Sequence, residues 1–251
     1  MPSRRLPALL PLLLALACGA PAHVARTPEP TPMPPASPGT APGRSDADVA
    51  ALADRLTAAA IAHEPAVSVL LTRVAATSGG ELAGFEHRLK KRPSMLRKIR
   101  HLLASHPEWT VANVVLDDPL RYTLVVADSP PGAHVATVRR AFAELEANGH
   151  RVDKVKNYWP RGDNYSGLNC NLLAPDGMTW ELQFHTPASH ALKDRDHVLY
   201  ERMREDTTPV AEKRVLFEQL ARPWEDVPIP AEVLTPGALH PKAEIIKRPP
   251  P

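Results

Sequence analysis

The chain has 251 residues, with 30 Lys and Arg against 28 Asp and Glu and a formal net charge of +2. That balance excludes a uniformly basic chain and gives no support to a nucleic-acid coat or a polybasic membrane anchor, although local clusters still matter, and the 29 prolines leave room for one ordinary domain with tails.

At the N-terminus, Arg4 and Arg5 precede an apolar run from Leu6 to Ala17 that ends in small residues, so residues 1–20 are expected to be a secretory signal. The run is shorter than the roughly 20 apolar residues needed to span a bilayer, and no later segment reaches that length. Two processing outcomes stay open. Cleavage at the A-x-A of Ala15, Leu16 and Ala17 gives a secreted chain. Alternatively, Leu16, Ala17, Cys18 and Gly19 are similar to a bacterial lipobox, in which Cys18 would carry the lipid and provide the only membrane contact. Either way the expected location is outside the cytoplasm, free or anchored in a bacterial envelope. Beyond the signal only Cys170 remains, so no internal disulfide is expected. Cys170 itself reads as a small buried hydrophobe.

Residues 21–44 are rich in Pro, Ala and Thr and poor in large apolar side chains, the composition of a disordered tether. The same composition returns from Pro223, where residues 223–251 are expected to form an extended Pro-rich tail. The folded body is accordingly expected over residues 45–222.

Ser45 with Asp48 is a helix start, Val49, Leu52 and Leu56 recur on one helical face, and Pro65 is expected to interrupt that layer. After Gly79 and Gly80, Met95, Ile99, Leu102 and Leu103 mark a helix closing near His106. Strands are expected over Val111 to Leu116 and Arg121 to Ala127. Val135, Val138, Phe142 and Leu145 are helix-spaced, with Gly149 beyond the end. Strands over Val152 to Tyr158, Gly167 to Leu173 and Met178 to His185 follow, the last two joined by an Ala174 to Gly177 hairpin turn. Helices over Ser189 to Glu205 and Pro209 to Leu220 complete an α/β (α+β) layer fold, a mixed sheet flanked by helices.

In the strand ending at His185, alternation puts Trp180, Leu182 and Phe184 on one face and Glu181, Gln183 and His185 on the other. A solvated sheet face would produce the same pattern. Beside it, Lys154 and Lys156 share a face and lead into the aromatic stretch Tyr158 to Tyr165. Upstream, Arg88, Lys90, Lys91, Arg92, Arg97, Lys98 and Arg100 concentrate positive charge. Cations for polyphosphate oxygens, carboxylates for a hard divalent ion and aromatic platforms for a base are the parts phosphoryl transfer between nucleotides requires. Asp117, Asp118 and Glu181 are the acids placed at strand starts or faces to hold magnesium.

The order of these residues resembles the RelA/SpoT family of nucleotide pyrophosphokinases over about Gly84 to Arg204. Arg88, Lys90, Ser94 and Lys98 reproduce that family's R-x-K-x-x-x-S-x-x-x-K spacing. Asp117, Asp118, Pro119, Leu120 and Arg121 look like its acidic strand start, with a shorter Asp to Arg separation. Lys156 to Tyr158 resemble its K-D-Y block, and Pro160, Arg161 and Tyr165 keep the spacing of P-K-x-N-G-Y. Glu181 to Thr186 match E-x-Q-x-R-T, with His185 in place of Arg.

The resemblance implies a nucleotidyltransferase-like fold and transfer of pyrophosphate from an ATP donor to the 3′-hydroxyl of a purine nucleotide, GDP or GTP or else ADP, ATP or AMP. It implies that Arg88, Lys90, Ser94, Lys98 and Arg121 bind ATP, with Arg88 stacking on adenine. Asp118 and Glu181 become the catalytic pair and the Mg2+ ligands, with Asp117 the alternate. Lys156, Arg161, Tyr165, Asn169, Gln183 and His185 bind the acceptor, Tyr165 by stacking on its base. Arg204 would be a further phosphate contact. A synthetase without the family's hydrolase half is expected, since the chain lacks an upstream His and Asp cluster. Two other outcomes are carried: a tRNA 3′ end as acceptor, and a nucleotide-binding lipoprotein without turnover.

Overall fold

The structure is a computed structural model that describes residues 43–205 and 207–246. The expected signal, Cys18 and most of the Pro-rich tether lie outside the described residues, as do residues 247–251. Of the two units into which the chain divides, the described residues all belong to Thr40–Pro251.

Helix α1 (Asp46–Ser78) starts on a capping box. The Ser45 hydroxyl accepts from the Asp48 amide at 3.1 Å and the Asp48 carboxylate accepts from the Ser45 amide at 3.0 Å, satisfying two otherwise orphaned donors. The expected break at Pro65 does not occur. Pro65 sits inside a continuous helix, because the two halves are held by different cores: Val49, Leu52 and Ala53 in one, Val67, Leu70, Leu71 and Val74 in the other. Burying each of those large side chains contributes about 1.5–3 kcal/mol. Together they outweigh the roughly 3 kcal/mol that an internal proline costs a helix.

Strand β1 (Glu81–Ala83), a 3-10 turn (Phe85–His87) and α2 (Arg92–Ser105) follow, with Met95, Ile99 and Leu103 of α2 packed on the first half of α1. The strand expected over Val111 to Leu116 is absent. Asn113 folds the chain locally instead, its side-chain oxygen accepting from the Thr110 amide at 2.9 Å, and such side-chain to backbone bonds compete with a ladder. Val114 and Leu116 still reach the smaller core.

Strands β2 (Arg121–Val125), β3 (Arg151–Asn157), β4 (Leu168–Leu173) and β5 (Thr179–His185) form the sheet, with α3 (Ala133–Ala147) between β2 and β3. The β4–β5 hairpin turns at Gly177, whose φ of 91° suits a residue without Cβ. Helices α4 (Pro187–Arg204) and α5 (Val210–Trp224) pack together, and β6 (Ala243–Ile245) completes the order β1-β2-β5-β4-β3-β6. The sheet is mixed: β2 runs parallel to β5 and β6 to β3, while the other pairs are antiparallel. No helix among the described residues is long and apolar enough to cross a membrane.

The expected extended tail from Pro223 needs correction, because its described part, up to Ile246, belongs to the body. Trp224, Val227, Val233 and Leu239 are buried in the main core, the Asn157 side chain donates to the Val233 carbonyl at 2.8 Å, and β6 adds to the sheet. Proline content masked four apolar anchors spaced along an irregular path.

Candidate active site

Residues far apart in sequence meet because a short bridge docks the basic segment beside the acidic loop. Leu89 pairs with Leu120, the Lys90 amide donates to the Pro119 carbonyl at 3.1 Å, and the Arg121 amide donates to the Arg88 carbonyl at 2.7 Å. Asp118, one residue before Pro119, then receives both lysines of the segment: Lys90 Nζ lies 2.7 Å from Oδ2 and Lys98 Nζ, from α2, 2.6 Å from Oδ1. Asp117 turns toward β3, where Lys156 Nζ lies 2.9 Å away.

Strand register builds the floor. One transverse row runs Arg121, Glu181, Asn171 and Lys154 across β2, β5, β4 and β3; the next runs Thr123, Gln183, Asn169 and Lys156. Two-residue alternation puts all eight on the face opposite the apolar core. Gln183 joins the rows, donating through Nε2 to Glu181 Oε1 at 2.7 Å. Lys193 reaches in from α4, its Nζ 2.8 Å from Gln183 Oε1 and 3.3 Å from Thr123 Oγ1.

This face is polar yet closed: Asp118, Thr123, Asn171, Glu181 and Gln183 are all buried. Burial pushes the Glu181 carboxyl up, and the negative charge of Asp118 pushes it further. Burial would also raise Asp118, but the charges of Lys90 and Lys98 outweigh it and hold that carboxyl well below the usual carboxylate range. Burial opposes the charge on Lys156, and the Asp117 hydrogen bond and charge overcome it, leaving that ammonium raised. Two neighbouring carboxylates with unlike proton affinities, ringed by ammonium groups, can accept a proton at one oxygen and neutralise phosphate oxygens around it.

The expected site residues separate into groups. Lys90, Lys98, Asp117, Asp118, Arg121, Lys156, Asn169, Glu181 and Gln183 come together on the polar face or its rim. Ser94 sits in the first turn of α2, its amide donating to the Lys91 carbonyl. Arg88 is held by Glu64 of α1, with its guanidinium 4.2 Å over the Phe85 ring. Tyr165 donates to Asn169 Oδ1 at 2.6 Å and meets the rings of Tyr158, His185 and Trp224. Arg161 is exposed in the loop after β3. The remaining basic residues are engaged elsewhere: Arg92 with Asp54, Arg97 with Glu201, Arg100 with Asp46, and Arg204 with Glu201 and the Tyr200 ring.

His185 departs from its expected role as a phosphate contact. It is 0% exposed, with Nε2 3.0 Å from the Tyr165 hydroxyl and Nδ1 3.0 Å from Ser189 Oγ. Burial, with the charges of Lys193 and His190 next, lowers its pKa well below the ordinary histidine value, so the ring is neutral. It braces β5 against the start of α4 and presents no charge to the face.

Sequence reasoning missed Lys193 and Asn171. The alternation rule that separated Glu181 from Leu182 places Asn171 with Asn169 on β4, and the Asn171 Oδ1 is buried with no partner among the described residues. Lys193 lies four residues after buried Ser189 on α4, the spacing that puts two side chains on one helical face.

No protein-family model matches the chain, and no curated protein matches it in sequence. Among solved structures, it is similar to the Type VI effector Tas1 from a complex with its immunity protein, at 20% identity and a TM-score of 0.43, over 68% of this chain and 94% of that one. It is similar to small alarmone synthetase 2 from Bacillus subtilis at 16% identity and a TM-score of 0.44, over 66% and 88%. A GTP pyrophosphokinase family protein from Streptococcus pneumoniae matches at 18% identity and a TM-score of 0.35, over 51% and 65%.

Proposed function

We propose that the chain is a magnesium-dependent pyrophosphokinase that moves pyrophosphate from ATP to the 3′-hydroxyl of a purine nucleotide. One observation carries this: four separated sequence blocks converge on a single polar face where Asp118 and Glu181 are electrostatically coupled and surrounded by Lys90, Lys98, Lys156 and Arg121. The same blocks carry the resemblance to the RelA/SpoT family.

The donor set fits Mg2+. Asp118 and Glu181 offer hard carboxylate oxygens, and the push of one negative charge on the other is what a divalent cation relieves. No group of three or more His, Cys, Asp or Glu forms a metal cluster among the described residues, so phosphate and water oxygens would complete the shell. When bound, the ion would neutralise polyphosphate charge and polarise the β-phosphoryl group.

The chain's own groups do the rest. Lys90 and Lys98, now bonded to Asp118, are placed to exchange to donor phosphate oxygens. Glu181 in its ionised form takes the proton of the 3′-hydroxyl, and Gln183 fixes its Oε1. The hydroxyl oxygen bonds to the β-phosphorus as the bond to the α–β bridging oxygen breaks, and AMP leaves with that oxygen. Catalysis is positioning and electrostatics. Lys156, Asn169 and Gln183 face the acceptor.

Export, by secretion or by a lipid on Cys18, belongs to the same proposal, and an exported enzyme of this kind suits a toxin acting on nucleotides after entry into another cell. Mass analysis of the mature N-terminus tests it: a start after Ala17 supports secretion, a lipidated Cys18 supports anchoring, and an unprocessed Met1 in an exporting host overturns both.

The activity is tested with the chain from residue 21 to its end, γ-labelled ATP, magnesium and GDP, GTP, ADP or AMP. Label in an acceptor nucleotide, with stoichiometric AMP, is the expected result. Label in added tRNA alone moves the acceptor to an RNA end, and nucleotide binding without any transfer leaves a binding module in place of the enzyme.

A further inference from the structure

Lys193 lies outside the sequence blocks that carry the family resemblance. It projects from α4 over the second row of the floor, and its two hydrogen-bond partners, Gln183 Oε1 and Thr123 Oγ1, are both neutral. An ammonium has three donors, and the hydrogen bonds of this one use two of them; Asp194 and Glu181 act on it only through their charge. A lysine that only covers apolar surface turns its head to solvent. This one turns inward onto the polar face, where an ammonium whose hydrogen-bond partners are both neutral is a place for an anion.

The neighbouring position explains what the charge supplies. His185 follows Gln183 on the same face of β5 but is neutral, with both ring nitrogens engaged by Tyr165 and Ser189. On the opposite side, Lys90 and Lys98 are gathered at Asp118, beside the first row. The second row, Thr123 to Lys156, otherwise has its charge at its β3 end.

We propose that Lys193 binds a phosphate of the acceptor nucleotide, its ammonium supplying from α4 the charge that His185 does not carry. This rests on the pyrophosphokinase reading for the identity of the acceptor, but the anion site itself stands on the geometry of α4 and β5. The groups facing Lys193 are Arg121 from β2, Glu181 and His185 from β5, and Asp194 and His190 from α4. Burial and then Arg121 lower its pKa to about 8, against the pull of Asp194 and Glu181. The site therefore weakens as pH rises through that value.

The test is calorimetric binding of ADP and GDP, of the corresponding nucleosides, and of α,β-methylene-ATP to the mature chain and its Lys193→Met and Lys193→Arg variants, each checked for an unchanged thermal melt. Lys193→Met should weaken ADP or GDP about ten- to a hundredfold, leave the nucleosides unaffected, and change the donor analogue less than twofold. Lys193→Arg should keep diphosphate binding and lose the decline that the wild type shows above about pH 8. Should Lys193→Met not fold, Lys193→Gln, which keeps a hydrogen bond without the charge, serves with the same expectations. Diphosphate binding equal in wild type and neutral variants, or an equal loss for nucleosides, overturns the proposal. A phosphate-dependent loss in a protein that transfers no label would sustain the Lys193 site and sink the transfer chemistry. Intact transfer with unaltered acceptor binding would do the reverse.

Discussion

The two faces of the central sheet are made by the same strands and are both buried, yet they are held by different physics. On one, Trp180, Leu182 and Phe184 are fully buried beside α1 and α3, with Phe142 edge-on to Phe184 at 5.6 Å. On the other, Glu181 and Gln183 are buried beneath ammonium groups. The apolar face gains by leaving water; the polar face is closed only because its charges are paired or coupled. Stability and chemistry can therefore be perturbed separately on alternate residues of one strand.

The largest effect should come from cutting the chain after Arg222. This removes Trp224, Val227, Val233, Leu239 and β6, and at about 1.5–3 kcal/mol per large side chain the loss approaches the whole stability of an ordinary domain. A urea titration should show no cooperative transition; a normal one would mean that the tail is dispensable and the apolar core ends at α5.

Next, Phe184→Ala and Glu181→Gln should part company although the two residues are three apart on β5. The first should lose about 3–5 kcal/mol in urea unfolding while its folded fraction still transfers label. The second should fold as well as the wild type, since it removes a buried charge, and lose at least about a hundredfold in transfer rate. Equal unfolding midpoints with equal activities would erase the distinction between faces.

Asp118→Asn tests the pairing that closes the polar face. It strands Lys90 and Lys98 and should cost about 3–5 kcal/mol. The pH sign follows from the depressed Asp118 carboxyl: its contribution is fully present above the ordinary aspartate value near pH 4 and is lost as pH falls below it. Wild-type stability should fall across that acid range, and the fall should be shallower in Asp118→Asn.

The smallest effect expected is at Gly167. A Cβ there would lie 2.7 Å from His185 Cε1 and 3.1 Å from the Phe184 carbonyl oxygen, and the ring is held by Tyr165 and Ser189. Gly167→Ala should cost about 1–3 kcal/mol in thermal or urea unfolding. No loss would show that His185 has room to move and is less firmly braced than its contacts indicate.

Local pattern made much of this legible. The Ser45 cap, the spacing of Met95, Ile99 and Leu103, the Gly177 hairpin and the alternation through Glu181 are short-range signals, and each corresponds to an observed feature. Pro65 and the chain after Pro223 misled for one reason: proline signals a local cost, and the apolar burial that offsets it is non-local. The expected strand at Val111 failed the opposite way, because its β-branched residues were outweighed by the local Thr110 and Asn113 bonds.

The amino-acid order alone specified which side chains share a face, since strand and helix periods are properties of the backbone. It could not specify that Leu89 pairs with Leu120, that Lys90 and Lys98 divide the oxygens of Asp118, or that Lys193 enters from a helix. Nor could it show that His185 is neutral. Charge state and counter-ion depend on burial and on neighbours brought in from distant segments, and those exist only once the sheet register and helix packing are set.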